Sequence, residues 1–264
     1  MATLQVLLTQ ILTGDTFNLS QDDIIHVNAE GTGSKVLYSD SGARLREEIV
    51  EESPANIAAM TNVLFLLTLT EAQTTTFINA KQIVYVLVEG TGAKLAYNRE
   101  GAHPIEVIVD EAVGSIRTAA GNLVTVTPTI GTDTIDLNED LIELVDDEGT
   151  GAVIMYDQGG ARLHEYTVSE SKGNINKQIY VNAGQTVYAI DAVDTGAETF
   201  TLAAAHADVT TVFANGKTFQ VVDSTGNDAT YTVASQSFGG GKTTITVNED
   251  ITDSTADGDI LIIV

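Results

Sequence analysis

Apolar and polar residues alternate with a period of two along much of this chain. "KQIVYVLVE" (81–89), "NLVTVTPTI" (122–130), "QIYVNAGQTVYAI" (178–190), "TFQVVD" (218–223), "ATYTVAS" (229–235) and "TTITVNED" (243–250) are rich in β-branched and aromatic residues and bounded by Gly, Asn and Asp. That pattern predicts strands, because alternate side chains of a strand face opposite sides of a sheet. Helical periodicity is thin. "SPANIAAMTNVLFLLTLTEAQ" (53–73) predicts one or two helical turns near Pro54 before a strand. "GARLREEIVEES" (42–53) has some 3.6-residue character, but its counterpart "GAHPIEVIVDEA" (101–112) carries Pro104 and alternates, so both are assigned as strand.

The word counterpart rests on an internal repeat. "EGTG" occurs at 30–33, 89–92 and 148–151, and the intervals are equal: 89 − 30 = 59 and 148 − 89 = 59. Without a gap, Tyr38, Tyr97 and Tyr156 align, as do Gly42, Gly101 and Gly160, Ala43, Ala102 and Ala161, and Ile57, Ile116 and Ile175. Upstream, "DTFNLSQDDIIHV" (15–27) matches "DTIDLNEDLIELV" (133–145) at the same offset. Three blocks follow, 11–69, 70–128 and 129–187, behind an N-terminal arm of residues 1–10. Each block is long enough for four or five short strands. Self-similarity of this kind dictates architecture. The blocks can stack as a solenoid or close about a pseudo-threefold axis; closure is favoured because it needs no capping repeat. The turn positions Gly31, Gly33, Gly90, Gly92, Gly149 and Gly151, with Gly42, Gly101 and Gly160, suit corners where only glycine takes φ > 0 freely. From 188 to 264 the texture changes to short strands and glycine turns, which predicts a second, barrel-like or sandwich β domain. The fold class is therefore all-β.

Composition narrows the chemistry. There is no cysteine among the 264 residues, so disulfides, thiolate metal sites and cysteine nucleophiles are excluded. Acids outnumber bases 37 to 12, a net charge of −25 spread through every block. That sign disfavours phosphate backbones, hence direct nucleic-acid binding, and favours partners with positive patches. No apolar run approaches the roughly 18 residues of a membrane span, and "MATLQVLLTQILTG" lacks the basic start and cleavage site of a signal peptide.

Motifs that suggest catalysis fail on inspection. "AVDTGA" (192–197) matches the aspartic-protease string, but Asp194 is its only such aspartate, and the reaction needs a pair. "FGGGKTT" (238–244) has Gln236 where a phosphate loop requires glycine, and a strand rather than a helix follows. His26, His103, His164 and His206 show no ligand spacing, "HEYTV" (164–168) lacking the second histidine. Asp22–Asp23, Asp146–Asp147 and "NEDITDSTADGD" (248–259) offer oxygen ligands for structural Ca²⁺, though in no EF-hand register; no other cofactor is expected. The scarce cations are patterned: Lys35 aligns with Lys94 and Arg44 with Arg162, with His103 in the middle block. They either contact a partner or neutralise Glu47, Glu106 and Glu165, which also align; neutralisation is the simpler reading.

The segment "GKTFQVVDSTGNDATYTVASQSFGGGKTTITVNEDITDSTADGDI" (216–260) resembles a small β domain that recurs in virion proteins of tailed bacteriophages. The "STGNDATYTVAS" hairpin and the "TTITVNEDITDSTADGDI" stretch carry the likeness. The rest, acidic, cysteine-free and rich in Thr, Ala, Gly and Val, is similar in character to phage head decoration proteins. The resemblance implies a non-enzymatic virion component and leaves head or tail open, because such domains occur on both. The leading expectation is a capsid decoration (cement) protein, made in the host cytoplasm and carried on the outer capsid surface. Its partner would be the major capsid protein or another virion protein, engaged by many copies, each a monomeric pseudo-trimer. A tail, baseplate or fibre component, or an outward-facing adhesin, is the alternative reading.

Overall fold

The structure, a computed structural model, describes residues 4–40, 44–98, 104–131, 133–157 and 163–262. Gly42, Gly101, Gly160, His103 and Arg162 lie outside the described residues, and of Arg44 only the backbone, at the start of a strand, is described. Two compact units are present, Met1–Glu170 and Ser171–Val264.

The first unit holds β1 (Gln5–Thr9), β2 (Thr16–Ser20), β3 (Ile24–Glu30), β4 (Gly33–Asp40), β5 (Arg44–Val50), α1 (Pro54–Ala59), β6 (Leu64–Leu69), β7 (Thr74–Asn79), β8 (Ile83–Glu89) and β9 (Gly92–Tyr97). It continues with β10 (Ile105–Val109), α2 (Val113–Ala120), β11 (Leu123–Val126), β12 (Ile135–Asn138), β13 (Ile142–Glu148), β14 (Gly151–Asp157) and β15 (Leu163–Val168). One turn of 3₁₀-helix precedes each of β3, β8 and β13, capped by the side chains of Ser20, Asn79 and Asn138, which accept from the backbone N–H two residues on.

The three EGTG strings close the β3–β4, β8–β9 and β13–β14 hairpins, with Glu30 opposite Gly33, Glu89 opposite Gly92 and Glu148 opposite Gly151. Their two glycines do different work. Gly31, Gly90 and Gly149 sit at φ +58°, +59° and +63°, where a side chain is strained. Gly33, Gly92 and Gly151 instead lie under a neighbouring strand: an added Cβ would fall 1.9, 2.1 and 2.1 Å from the carbonyl oxygens of Val50, Val109 and Val168.

Strand pairing also recurs. The same bridge recurs at each block boundary, Gln10–Val50, Leu69–Val109 and Pro128–Val168, and ties the end of β1 to β5, β6 to β10 and the end of β11 to β15. A glutamate locks each joint: Thr9, Thr68 and Thr127 donate backbone N–H groups to the carboxylates of Glu52, Glu111 and Glu170 at 3.1, 3.0 and 2.8 Å. Between blocks, β7 pairs with β3 and β12 with β8. The resulting series runs β2-β1-β5-β4-β3-β7-β6-β10-β9-β8-β12-β11-β15-β14-β13. Two matching cores lie beneath it, Leu8, Ile24, Val27, Val36, Val50 and Ile57 in one and Leu67, Ile83, Val86, Leu95, Val109 and Ile116 in the other.

The expected closed pseudo-threefold body is corrected here. Closure by strand pairing would set β2 against β13, but among the described residues β2 pairs with β1 and β13 with β14, and neither pairs with the other. The blocks form an open ladder.

The second unit contains α3 (Lys172–Asn182), β16 (Val187–Asp194), β17 (Thr199–Leu202), β18 (Thr218–Val222), β19 (Ala229–Gly239), β20 (Lys242–Val247) and β21 (Asp259–Ile262). Its strands close into a barrel in the order β16-β17-β20-β19-β18-β21. Phe200, Phe213, Phe219 and Tyr231 meet inside, ring centroids 5.0–6.1 Å apart, around a core completed by Val221, Ile245 and Ile260. The strand expected over 178–190 begins only at Val187. Ser171 caps a helix there, accepting from the Asn174 N–H at 3.3 Å, and Gly184 at φ +76° ends it. Tyr180 of α3 packs against Val187, Val222 and Leu261.

Candidate functional site: the repeated hairpin tips and their grooves

A second set of repeated turns follows β1, β6 and β11. In the first two, one left-handed residue sets the geometry. Gly14 (φ +70°) and Gln73 (φ +51°) occupy equivalent places, and each donates its N–H back to the turn's start, to the carbonyls of Gln10 and Leu69 at 2.9 and 2.8 Å. At the first turn Thr13 Oγ1 also donates to Gln10 Oε1 and accepts from the Asp15 N–H. Leu12, Glu71 and Ile130 share one repeat position in these turns (12 + 59 = 71; 71 + 59 = 130), and all three are exposed. Leu12 is 92% and Ile130 95% exposed, the two most exposed large apolar side chains described. A single exposed apolar side chain is ordinary on a protein surface; what sets Leu12 and Ile130 apart is that they recur at one repeat position, each almost fully exposed.

Beside two of these tips lies an open groove. One, of about 460 Å³, is lined by Leu69, Glu71, Ala72, Glu106, Val107 and Ile108, with Glu89 and Lys94. The other, of about 450 Å³, is lined by Pro128, Ile130, Gly131, Glu165, Tyr166 and Thr167, with Leu87, Asp133 and Ile135. The first six residues of each set correspond one to one at the 59-residue spacing. The grooves are thus the same feature built twice.

The repeat-equivalent lysines are held in pairs within their own blocks. Lys94 Nζ lies 2.7 Å from Glu106, and Lys35 Nζ 3.3 Å from Glu47. Tyr85 also donates its hydroxyl to Glu106. Lys94, then Tyr85, hold the Glu106 carboxyl below the usual range, while burial and Glu106 push the Tyr85 phenol up. Val153 stands where Lys35 and Lys94 stand in the other blocks, so Glu165 has no lysine at the matching place.

The catalytic-looking strings are structural. Asp194 Oδ1 accepts from the N–H groups of Gly196 and Ala197 at 2.9 and 3.0 Å, an Asx-type turn. "FGGGK" is the β19–β20 hairpin, with Gly240 and Gly241 at φ +62° and +80° between paired Gly239 and Lys242. His26 meets Tyr97 edge to face, His164 lies against Tyr156, and His206 Nε2 accepts from the Ala189 N–H at 3.1 Å. In the acidic stretch 248–259, Asp257 accepts from Ser224 Oγ and the Thr225 N–H, and the Asp253 N–H donates to Asn227 Oδ1 at 3.1 Å. Among the described residues no group of three or more His, Asp or Glu side chains is placed to hold a metal ion.

Leu12, Glu71 and Ile130 escaped sequence reasoning. "QILTGDT" (10–16) and "PTIGTDT" (128–134) do align, but a leucine inside an apolar-looking run reads as core. No protein-family model, characterised protein or solved structure matches the chain.

Proposed function

We propose that this protein is a structural component of a tailed-phage virion, a decoration protein that docks on the outer surface of the assembled head. The observation that carries the reading is the recurrence of one outward tip at equal spacing, apolar in the outer two blocks, beside a groove built twice. Positions repeated along one ladder suit a periodic protein surface better than a single small substrate. Burying Leu12 and Ile130 would contribute about 1.5–3 kcal/mol each, and contacts made together gain avidity. A ligand of the assembled shell alone stabilises that shell by linkage. The acidic surface complements positive patches on such a partner, and the resemblance of the 216–260 segment to a phage virion domain points the same way.

The test is co-sedimentation with purified heads, comparing the parent with a Leu12→Ser, Ile130→Ser double variant. Loss of two buried anchors should weaken binding by about 100-fold or more while leaving the thermal unfolding of the free protein unchanged, because neither side chain is packed. Undiminished binding by the folded double variant, or recovery of the protein with tails in only a few copies per particle, would overturn the reading.

A further inference from the structure

Among the described residues the ladder ends in two strand edges with no pairing partner, and its interior shows how such edges fit together. At the first internal junction His26, Val27 and Asn28 of β3 face Ile78, Phe77 and Thr76 of β7; at the second, Tyr85, Val86 and Leu87 of β8 face Leu137, Asp136 and Ile135 of β12. The register is identical after a 59-residue shift. A buried asparagine seals both: the side-chain N–H groups of Asn79 and Asn138 each reach a carbonyl of the preceding block, Ile24 and Ile83, at 2.7 Å. Moving the register on once more gives the junction the chain does not make with itself: Leu144 opposite Leu19 (26 + 118 = 144; 78 − 59 = 19), Val145 opposite Asn18 and Asp146 opposite Phe17.

Both half-sites are open. Val27 and Val86 are 0% exposed, whereas Val145 is half-buried and Leu144 is 47% exposed. On β2, Thr16 and Asn18 are exposed. What differs is charge. The three equivalent strands read "IIHVNAE", "IVYVLVE" and "IELVDDE"; β13 carries Glu143, Asp146, Asp147 and Glu148 where the others carry one glutamate each. The flanking pair changes sign too. Lys81 lies 2.9 Å from Asp22 at the first junction, whereas the corresponding positions across a copy-to-copy junction are Asp22 and Asp140. Ser20, shorter than Asn79 and Asn138, stands at the sealing position.

We propose that the β13 edge of one molecule is a docking site for the β2 edge of a second copy, in the register used twice inside the chain, and that the β13 carboxylates hold this junction open until their charge is screened or removed. Edge strands are commonly blunted by charge. Here the blunting stands on an edge whose complement is carried by the same chain, so the contact is heterologous and each addition leaves a fresh edge for the next.

The experiment is the solution mass of the full chain by sedimentation and light scattering. Glu143→Val, Asp146→Leu and Asp147→Val together give β13 the residues β8 has at those places, Val84, Leu87 and Val88. This variant should associate well below about 100 μM at physiological salt, with mass rising with concentration past the dimer. Adding Asn18→Glu, which buries an unpaired carboxylate opposite Val145, should return it to monomer. The parent should be monomeric at low salt and associate at least tenfold more tightly at about 1 M salt, where screening acts within about 3 Å. A triple variant that stays monomeric while folded, or that associates regardless of Asn18→Glu, overturns the docking site. A parent whose mass ignores salt overturns the charge gate, and it does so even if the triple variant fails to fold.

Discussion

The two units solve the same problem in opposite ways. Every strand must satisfy both of its backbone edges, and a sheet can do so by closing on itself or by stopping at an edge that water covers. The C-terminal unit closes: six strands return to β16 through β21, and no strand in the barrel order has a free side. The N-terminal unit does not close. Its fifteen described strands run from β2 to β13 and end there. Closure concentrates the apolar core in one place, whereas an open ladder repeats a small core per block and leaves two edges to manage. The barrel should therefore behave as one cooperative unit, and the ladder as a row of coupled ones.

Phe219→Ala is the largest test of that contrast. Phe219 is fully buried and meets Phe200, Phe213 and Tyr231, so its removal opens a cavity at the one point where the barrel's aromatics converge. The expected loss is about 3–5 kcal/mol. In urea followed by hydrogen exchange, amides of β16 to β21 should lose protection together, while those of β3 to β10 keep theirs. Partial loss confined to β18 and β19 would show that the barrel is not a single cooperative unit.

In the ladder the informative position is the second glycine of EGTG. Gly92→Ala drives a methyl group to 2.1 Å from the Val109 carbonyl oxygen, and Val109 is in turn the residue that bridges β10 to β6 at Leu69. Because the obstacle is backbone, relief requires moving a strand, at a cost of about 1–3 kcal/mol. Gly151→Ala makes the same collision with Val168. There only β13 lies beyond in the ladder, so its effect on the denaturation midpoint should be the smaller of the two. Gly90→Asn, at φ +59°, is the control: asparagine tolerates left-handed backbone, and the midpoint should hardly move.

These two units were not equally legible in the sequence. The repeat, the EGTG corners, the glycine hairpin at 238–242 and the all-β class all follow from spacing and turn chemistry, which are local. The helical turns expected near Pro54 are present as α1, whereas α2 and α3 were hidden for a local reason. Ala112 offers no side-chain cap to α2, and "QIYVN" in α3 has strand-like composition that Ser171 and Gly184 override. The open ends were hidden for a global one. Whether three blocks form a ring or a row depends on which edge meets which, and the alternation within a strand is the same either way. Only the difference between "IVYVLVE" and "IELVDDE" hints that the third block faces water where the second faces a neighbour. The cations, prominent as a pattern, were the least telling: Lys35 and Lys94 are spent on Glu47 and Glu106.

The units also place their awkward charges differently, and the smallest prediction separates them. On the ladder the acids of β13 stand in solvent, whereas the barrel carries Asp223 half-buried at φ +58°, with Oδ1 held by Asn176 at 2.7 Å and Oδ2 buried with no hydrogen-bond partner. Burial pushes its carboxyl above the ordinary aspartate range, and Asp228 adds to the shift. A raised acid binds its proton more tightly in the native state than in the unfolded one. Stability therefore falls as pH rises from the unfolded value through the native one, and the deficit persists at neutral pH. Asp223→Asn keeps the acceptor for Asn176, suits the left-handed backbone and removes the charge. It should stabilise the barrel by about 1 kcal/mol at pH 7, an amount reduced by the residue's partial exposure to water. Thermal melts at pH 7 and pH 4 should show the variant's advantage shrinking at the lower pH, where the parent's own carboxyl is increasingly protonated. An advantage independent of pH would assign the effect to backbone strain instead of buried charge.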